Sequence, residues 1–185
     1  GPVIGNELKQ KSITAIFLVL FFVIIYIAFV FRKIGRTTSS WAMGLAAIVA
    51  LIHDVVIPIG VFAVLGRYYG IEITGVFVAA ALTILGFSVS DTVVIFDRVR
   101  ENIIRGGSKA EFGSLVHRSV MQTLARSLNT VFTVLLSLFA IYFFGGSSIK
   151  YFSLALIIGI FLGAYSSIFV ASPLLVWWTP GKGGS

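Results

Sequence analysis

The stretch "LGFSVSDTVVIFDRVREN", residues 85–102, decides the fold because it begins as an apolar membrane helix and ends as a charged cluster. Asp91 lies in the apolar half, and Asp97 and Arg98 open the cluster. At about 1.5 Å of rise per residue, Asp91 is roughly 9 Å of helix inside that edge. A charge at the centre of a membrane helix costs at least about 2.5–3.5 kcal/mol. The position of this carboxylate therefore calls for a functional explanation.

The composition is that of an integral membrane protein. The 185 residues are 58% hydrophobic and only 11% charged, with a mean hydropathy of +1.03, whereas soluble globular domains average about 25% charged residues. The chain has no cysteine and two histidines without acidic neighbours at ligand spacing, so we predict no metal site and no cofactor. The net charge of +7 comes from basic residues scattered over short loops, a pattern that does not predict nucleic-acid binding.

Five stretches are long and apolar enough to cross a bilayer core of about 30 Å. The predicted fold is all-α, a polytopic transmembrane helix bundle that forms a single domain over residues 1–185. The spans are predicted at residues 13–31, 41–65, 74–96, 129–144 and 151–178.

The basic residues predict the orientation of these spans. If the loops alternate between the two sides, one side carries Arg32, Lys33, Arg36, Arg98, Arg100, Arg105, Lys109, Arg118, Arg126 and Lys182. The other side carries Lys9, Lys11, Arg67 and Lys150. The positive-inside rule places the first set in the cytoplasm, with the C-terminus. The N-terminus is then outside, and because it has no signal peptide we expect Gly1 to begin an excised or processed piece that follows an upstream span.

The segment between the third and fourth spans has a helical pattern of its own. Ser108 and Glu111 have capping-box spacing after the break at Gly106-Gly107. Apolar residues then recur every four positions, at Phe112, Val116, Val120, Leu124 and Leu128. We predict a cytoplasmic interfacial helix that leads into the fourth span.

Small residues at four-residue spacing predict close packing between helices in lipid. The fifth span has a full ladder of them, Ala155, Gly159, Gly163, Ser167 and Ala171. The third span has Ala79, Thr83, Gly86 and Ser90, and the second has Ala46 and Ala50. We expect these faces, Gly86 among them, to pack within one bundle.

A polar stripe marks one face of the fourth span. Its members follow steps of four, three, four and four residues: Gln122, Arg126, Asn129, Thr133 and Ser137. The stripe either lines water or a partner, or makes bonds between helices.

Asp91 and Arg126 are the candidate proton-translocation residues. Desolvation favours the neutral form of a carboxyl group, and an approaching cation favours the charged form. Arg126 enters from the same side on the adjacent span, and its long side chain can reach inward. A pair that forms and separates would couple proton binding to helix movement. The alternatives are a static salt bridge, or an arginine that extends to lipid headgroups.

Other polar side chains in the spans belong either to a proton path or to the structural framework. They are Asp54, His53, Ser90, Thr92, Asn129 and Thr133. His53 and Asp54 are about 100° apart around a helix, so we do not expect both to face one partner squarely. Pro58 removes a helical hydrogen bond to the Asp54 carbonyl, which predicts a kink.

Several blocks together resemble SecF, the smaller component of the SecDF translocation factor, whose membrane core is related to the RND transporters. They are "GPVIGNEL" at 1–8, "HDVVIPIGVF" at 53–62, "LGFSVSDTVVIFDRVREN" at 85–102, "LARSLNT" at 124–130, "FGGSSIKYFSLALIIGI" at 144–160 and "AYSSIFVASPLL" at 164–175. The resemblance implies the last five of six membrane helices, with the first span and an extracytoplasmic domain absent from this sequence.

The resemblance also implies a function and partners. The family uses the proton-motive force to help draw preproteins through the SecYEG channel of the bacterial or archaeal cytoplasmic membrane. A SecD subunit supplies part of the proton route, and no enzymatic activity is implied. Asp91 matches the family's essential membrane aspartate and Arg126 an arginine tied to proton conduction. Ser90 stands where the family usually has Asn, and Pro58 is unusual for its block.

Three other functions compete with this interpretation. An intramembrane aspartyl protease would use two aspartates, but "LIHDV" and "VSDTV" do not resemble that class. Half of an RND-type exporter would share the fold and the proton chemistry, and an inert scaffold would need neither aspartate. Proton and sodium both remain open as the coupling ion, and so does the subunit stoichiometry.

Overall fold

The computed structural model describes residues 2–31, 40–106 and 111–179. Its elements are α1 (Pro2–Val30), α2 (Ser40–Tyr69), α3 (Gly75–Gly106), α4 (Phe112–Phe144), α5 (Ser147–Ser166), a π-helical segment (Ser167–Ala171) and α6 (Ser172–Trp178). Several residues used in the predictions above lie outside the described part of the chain, namely Gly1, Arg32, Lys33, Arg36, Gly107, Ser108, Lys109 and Lys182.

The predicted all-α architecture is confirmed. Five helical stretches are long and apolar enough to cross a membrane, at residues 10–30, 41–69, 75–105, 112–144 and 147–178. They overlap all five predicted spans, which makes the chain a multi-pass membrane protein. The last stretch is continuous through α5, the π-helical segment and α6. α2 likewise continues through Pro58.

α3 extends well beyond the predicted third span. α3 continues through the cluster after Asp91 to Gly106. Its charged side chains pair along the helix surface, where Arg105 lies 2.7 Å from Glu101 and Arg98 also contacts Glu101. Pairs at three- and four-residue spacing stabilise an exposed helix, so the polar end of α3 remains helical.

The predicted interfacial helix is not a separate element, because α4 runs without interruption from Phe112 to Phe144. Phe112, Val116 and Val120 are buried in an apolar cluster with α3. The four-residue pattern therefore identified a face that packs on the bundle. Glu111 occupies the N-cap position without a side-chain capping bond, so α4 begins later than the predicted capping box.

α5 lies at the centre and packs against α2, α3 and α4. Its small-residue ladder is buried along its length. A Cβ atom at Gly159 would lie 2.2 Å from Cδ1 of Ile84, and one at Gly163 would lie 3.2 Å from Cβ of Ser88. Ala46 and Ala50 of α2 are also fully buried, as predicted.

The prediction for the third span was wrong. The four small residues Ala79, Thr83, Gly86 and Ser90 are all exposed, and a Cβ atom at Gly86 would meet nothing within 4 Å. α3 instead buries a neighbouring face that includes Ala80, Ile84 and Ser88. Both faces carry small residues, so spacing alone did not show which one the chain packs internally.

We predict that Gly159→Val destabilises the chain by about 1–3 kcal/mol, because the added methyl groups overpack the contact with Ile84. Gly86→Val is the matched control, since the same change on an exposed face of α3 meets no neighbour. Thermal unfolding of both variants in detergent measures the difference. Equal unfolding temperatures for the two variants would contradict the assigned packing faces.

Candidate functional site

The carboxylate of Asp91 is held by two serines from neighbouring helical segments. Ser127 of α4 donates to Oδ1 at 2.5 Å, and Ser167, the first residue of the π-helical segment, donates to Oδ2 at 2.5 Å. Both serines are buried, whereas Asp91 is half-buried. Hydrogen bonds to a charged acceptor are among the stronger ones, so Asp91 ties α3 to both neighbours.

Arg126 lies beside Asp91 without pairing with it. The two side chains line one cleft of about 80 Å³ together with Ser90 and Thr130. Among the described residues Arg126 forms no ion pair within 4.0 Å. The structure thus brings the two predicted residues to one site, but it gives Asp91 hydroxyl partners in place of the guanidinium.

Arg126 also borders a second and larger cleft toward the charged end of α3. This cleft, about 340 Å³ in volume, is lined by Tyr26, Val30, Val93, Val94, Asp97 and Arg126. Arg126 therefore lies between the carboxylate of Asp97 at the polar end of α3 and that of Asp91 in the apolar half. A long flexible side chain in this position can approach either one.

Asp54 is fully buried and forms a second carboxylate centre. Ser88 of α3 donates to its Oδ2 at 2.5 Å, and Ser166 of α5 donates to the same oxygen at 2.6 Å. Its Oδ1 lies 2.9 Å from Nδ1 of His53. Asp54 thus links α2 to α3 and α5, much as Asp91 links α3 to α4 and the π-helical segment.

His53 contacts Asp54 directly, despite being the next residue on the same helix. The side chain of His53 is 28% exposed, and its ring stacks on Tyr165 with a centroid distance of 6.4 Å and an interplanar angle of 25°. Adjacent residues lie about 100° apart around a helix, so His53 and Asp54 do not both face one third residue. The imidazole can nevertheless turn back and contact the neighbouring carboxylate.

The consecutive serines Ser166 and Ser167 each serve a different aspartate, and sequence reasoning missed this pairing. Ser167 was predicted as a packing residue, and Ser166 was not singled out. The signal was present as two adjacent hydroxyls in an apolar span, followed by Ser172-Pro173. Pro173 cannot donate a backbone hydrogen bond one turn back, and the helix widens into the π-helical segment just before it. Such π turns are frequent at functional sites.

The other predicted polar residues are placed differently. Ser90 is exposed at the mouth of the Asp91 cleft. Thr92 is buried, and its Oγ1 has no hydrogen-bond partner in the part of the chain that the structure describes. Asn129 and Thr133 are exposed, and the Thr133 hydroxyl bonds to the Asn129 carbonyl. Neither residue forms a hydrogen bond with Asp54 or Asp91 in the described structure.

The polar stripe of α4 lies mostly on the outside of the chain. Gln122, Arg126, Asn129, Thr133 and Ser137 are all exposed. Gln122 accepts a hydrogen bond of 2.9 Å from Asn102 of α3, and Ser137 donates to the Thr133 carbonyl at 3.2 Å. In the described structure the stripe therefore makes one side-chain hydrogen bond with α3, and the rest of it forms a polar outer face on α4.

Comparison with known proteins gives relatives along nearly the whole chain. The family model for the protein export membrane protein SecD/SecF, C-terminal, matches residues 1–180. The protein translocase subunit SecF of Thermobaculum terrenum is 51% identical over 178 residues, covering 96% of this chain and 55% of that protein. SecF of Anaerolinea thermophila is 42% identical over 185 residues, covering 98% and 58%. The chain thus spans little more than half the length of these curated relatives.

Solved structures agree with the sequence comparison. The crystal structure of SecDF from Thermus thermophilus, a translocon-associated membrane protein, matches with a TM-score of 0.84 and 40% identity. The match covers 96% of this chain and 23% of that one. A SecDF structure in a super-membrane-facing form matches with a TM-score of 0.79 and 40% identity, over 93% of this chain and 22% of the other. The chain belongs to the SecD/SecF family of protein export membrane proteins, within the C-terminal region that the family model describes.

Proposed function

We propose that this chain serves protein export as part of a SecF subunit, and that Asp91 couples the proton-motive force to preprotein translocation. The relatives are named protein translocase subunits, which supports the role in export. The observation that carries the coupling is a half-buried carboxylate, held by two hydroxyls, that shares a cleft with an arginine. An ionisable residue inside a membrane span marks an ion pathway by default.

The hydroxyls of Ser127 and Ser167 suit both protonation states of Asp91. When Asp91 is ionised, each serine donates its hydrogen to one carboxylate oxygen. When Asp91 is protonated, one oxygen becomes a donor, and the serine that faces it accepts. A hydroxyl can change from donor to acceptor by rotating its hydrogen, so the site takes up a proton without losing its partners.

Arg126 supplies the cation that distinguishes the two states. Its guanidinium lines the Asp91 cleft and the cleft that contains Asp97. Approach to Asp91 stabilises the carboxylate and releases its proton, and withdrawal toward Asp97 favours proton binding. A potential of 100 mV contributes about 2.3 kcal/mol per elementary charge moved across the membrane. That energy is enough to bias a two-state helix arrangement strongly.

A SecD-like subunit completes the site on the exposed side of α3 and α4. The small residues of α3, such as Gly86 and Ser90, and the polar stripe of α4 both lie on the outside of this chain. The two faces meet at the cleft that contains Ser90 and Arg126. Small residues allow a neighbouring helix to approach closely, and polar residues give it hydrogen-bond partners. The SecYEG translocon and its preprotein are reached through the assembled complex.

The proposed setting is the bacterial or archaeal cytoplasmic membrane. The charged end of α3, with Asp97 to Arg105, then faces the cytoplasm, and the N-terminal end of α1 lies outside. The loops on the same side of the membrane as the charged end of α3 contain more Lys and Arg than those on the other side, which supports this orientation.

We predict that Asp91→Asn in the full-length subunit, assembled with SecD, abolishes the part of preprotein export that depends on the proton-motive force. Asn keeps the size of the side chain but cannot exchange a proton. The measurement is translocation of a preprotein into inverted membrane vesicles with and without a proton gradient. Glu111→Gln is the control, since that exposed carboxylate at the start of α4 makes no side-chain capping bond. If gradient-dependent export is unchanged in Asp91→Asn, the proposed coupling role of Asp91 is wrong, and the chain acts as an inert scaffold.

For Arg126→Lys we expect partial loss of gradient-dependent export, and for Arg126→Gln complete loss. Lys keeps the charge but lacks the planar fork that matches a carboxylate. Arg118→Lys, an exposed residue of the same helix, should export like the wild type. The same vesicle assay measures gradient-dependent export for each variant. Full export with Arg126→Gln would contradict a role in coupling and would leave Arg126 only as an anchor to lipid headgroups.

A further inference from the structure

We infer that His53 and Asp54 form a second proton-binding pair of the same cycle, coupled to Asp91 through the adjacent hydroxyls of Ser166 and Ser167. The inference rests on the proposed function, because it assigns a further group to the proton path. Its physical basis is a fully buried carboxylate that forms no ion pair with any Lys or Arg among the described residues.

Among the described residues, His53 is the one titratable side chain that hydrogen-bonds to Asp54. Its other hydrogen-bond partners, Ser88 and Ser166, are hydroxyls. The other ionisable side chains of the five spans, among them Asp91, Arg126, Tyr165 and Tyr26, form no hydrogen bond or ion pair with the Asp54 carboxylate in the described part of the chain. An uncompensated charge in such a site is costly. With a neutral imidazole and an ionised carboxylate, the His53–Asp54 pair has one negative charge. The pair becomes neutral only when it binds one further proton.

The proton can occupy either partner of the pair. With imidazolium at His53, Nδ1–H donates to Oδ1 of Asp54 across 2.9 Å. Transfer breaks the Nδ1–H bond and forms Oδ1–H, which leaves neutral imidazole and neutral carboxylic acid. His53 is half-buried, whereas Asp54 is fully buried, so the imidazole is the partner through which the proton enters and leaves the pair. Loss of that proton leaves an ionised Asp54 with donors from His53, Ser88 and Ser166.

Ser166 can respond to this exchange by redirecting its hydroxyl hydrogen from the carboxylate to the backbone of its own helix. Its one hydroxyl hydrogen has two acceptors within reach, Oδ2 of Asp54 at 2.6 Å and the carbonyl oxygen of Gly163 at 3.1 Å. When the acid proton lies on Oδ1, Oδ2 loses its negative charge and becomes a weaker acceptor, so the Ser166 hydrogen turns toward the carbonyl oxygen of Gly163.

Ser167 has the same pair of choices toward Asp91. Its hydroxyl reaches Oδ2 of Asp91 at 2.5 Å and the carbonyl oxygen of Ala164 at 3.0 Å. The two serines share a peptide bond at the junction between α5 and the π-helical segment. A new hydrogen bond from Ser166 to a backbone carbonyl therefore changes the helical segment that positions Ser167, and the reverse holds for Ser167. This shared segment couples Asp54 to Asp91.

The test is infrared difference spectroscopy of the full-length subunit with SecD, recorded between alkaline and acidic buffer. The C=O stretch of a protonated carboxyl group reports its formation. We expect two such bands, one lost in Asp91→Asn and the other lost in Asp54→Asn. In Asp54→Asn the Asp91 band should persist, which shows an intact bundle, but at a shifted frequency, which shows that the two carboxylates are coupled. His53→Phe keeps the ring on Tyr165 and should remove or delay the Asp54 band.

Two serine variants keep the inference testable if Asp54→Asn fails to fold. Ser166→Ala should shift the Asp54 band, because the acid loses a partner, and Ser166→Thr should leave it in place. Spectra in which only Asp91 contributes a band, or in which Asp54 responds to neither His53 nor Ser166, would overturn the inference. Since these spectra do not depend on export, failure of the export assay alone would overturn the proposed function and not the assignment of Asp54.

Discussion

A carboxylate within a membrane bundle must be supplied with hydrogen-bond donors, because lipid offers none. α5 and the π-helical segment meet this requirement for both membrane aspartates through neighbouring residues, Ser166 for Asp54 and Ser167 for Asp91. The remaining partners are Ser88 of α3, Ser127 of α4 and His53 of α2. The polar bonds thus converge on one central helix, and the apolar clusters pack above and below this level.

Close packing is what lets such short hydroxyl side chains reach their acceptors. The glycines at 159 and 163 bring α5 against α3, where Ile84 and Ser88 occupy the space that larger side chains would fill. Helices in lipid gain little from apolar burial against one another, so small residues and internal hydrogen bonds must supply the contact. The same geometry leaves the polar stripe of α4 on the outside, where a partner subunit fits the proposed function.

Much of the architecture follows from the sequence. Runs of apolar residues predicted five spans, and the ladder of α5 predicted a buried packing face. Four-residue spacing was less decisive elsewhere, since it placed Gly86 on a buried face of α3 and assigned residues 112–128 to a surface helix. Both errors have one cause: periodicity shows which residues share a face, but not what that face meets.

The site was predictable to a similar degree. Asp91 stood out because charges are rare inside spans, and Arg126 because its long side chain can reach inward from the same side. The structure places both at one cleft. Their partners did not stand out, because serine is common in membrane helices and bonds readily to its own backbone. Only the three-dimensional arrangement separates Ser166 and Ser167, which reach aspartates on other helices, from Ser137, which bonds to Thr133 on its own helix.

The central claim is that Asp91 binds and releases the proton that drives the cycle. Its most direct test is proton influx into liposomes that contain the full-length subunit with SecD, measured with an internal pH-sensitive dye after a gradient is imposed. The account predicts influx in the wild type and none above the empty-liposome rate when residue 91 is asparagine. Equal influx for the two proteins would contradict it.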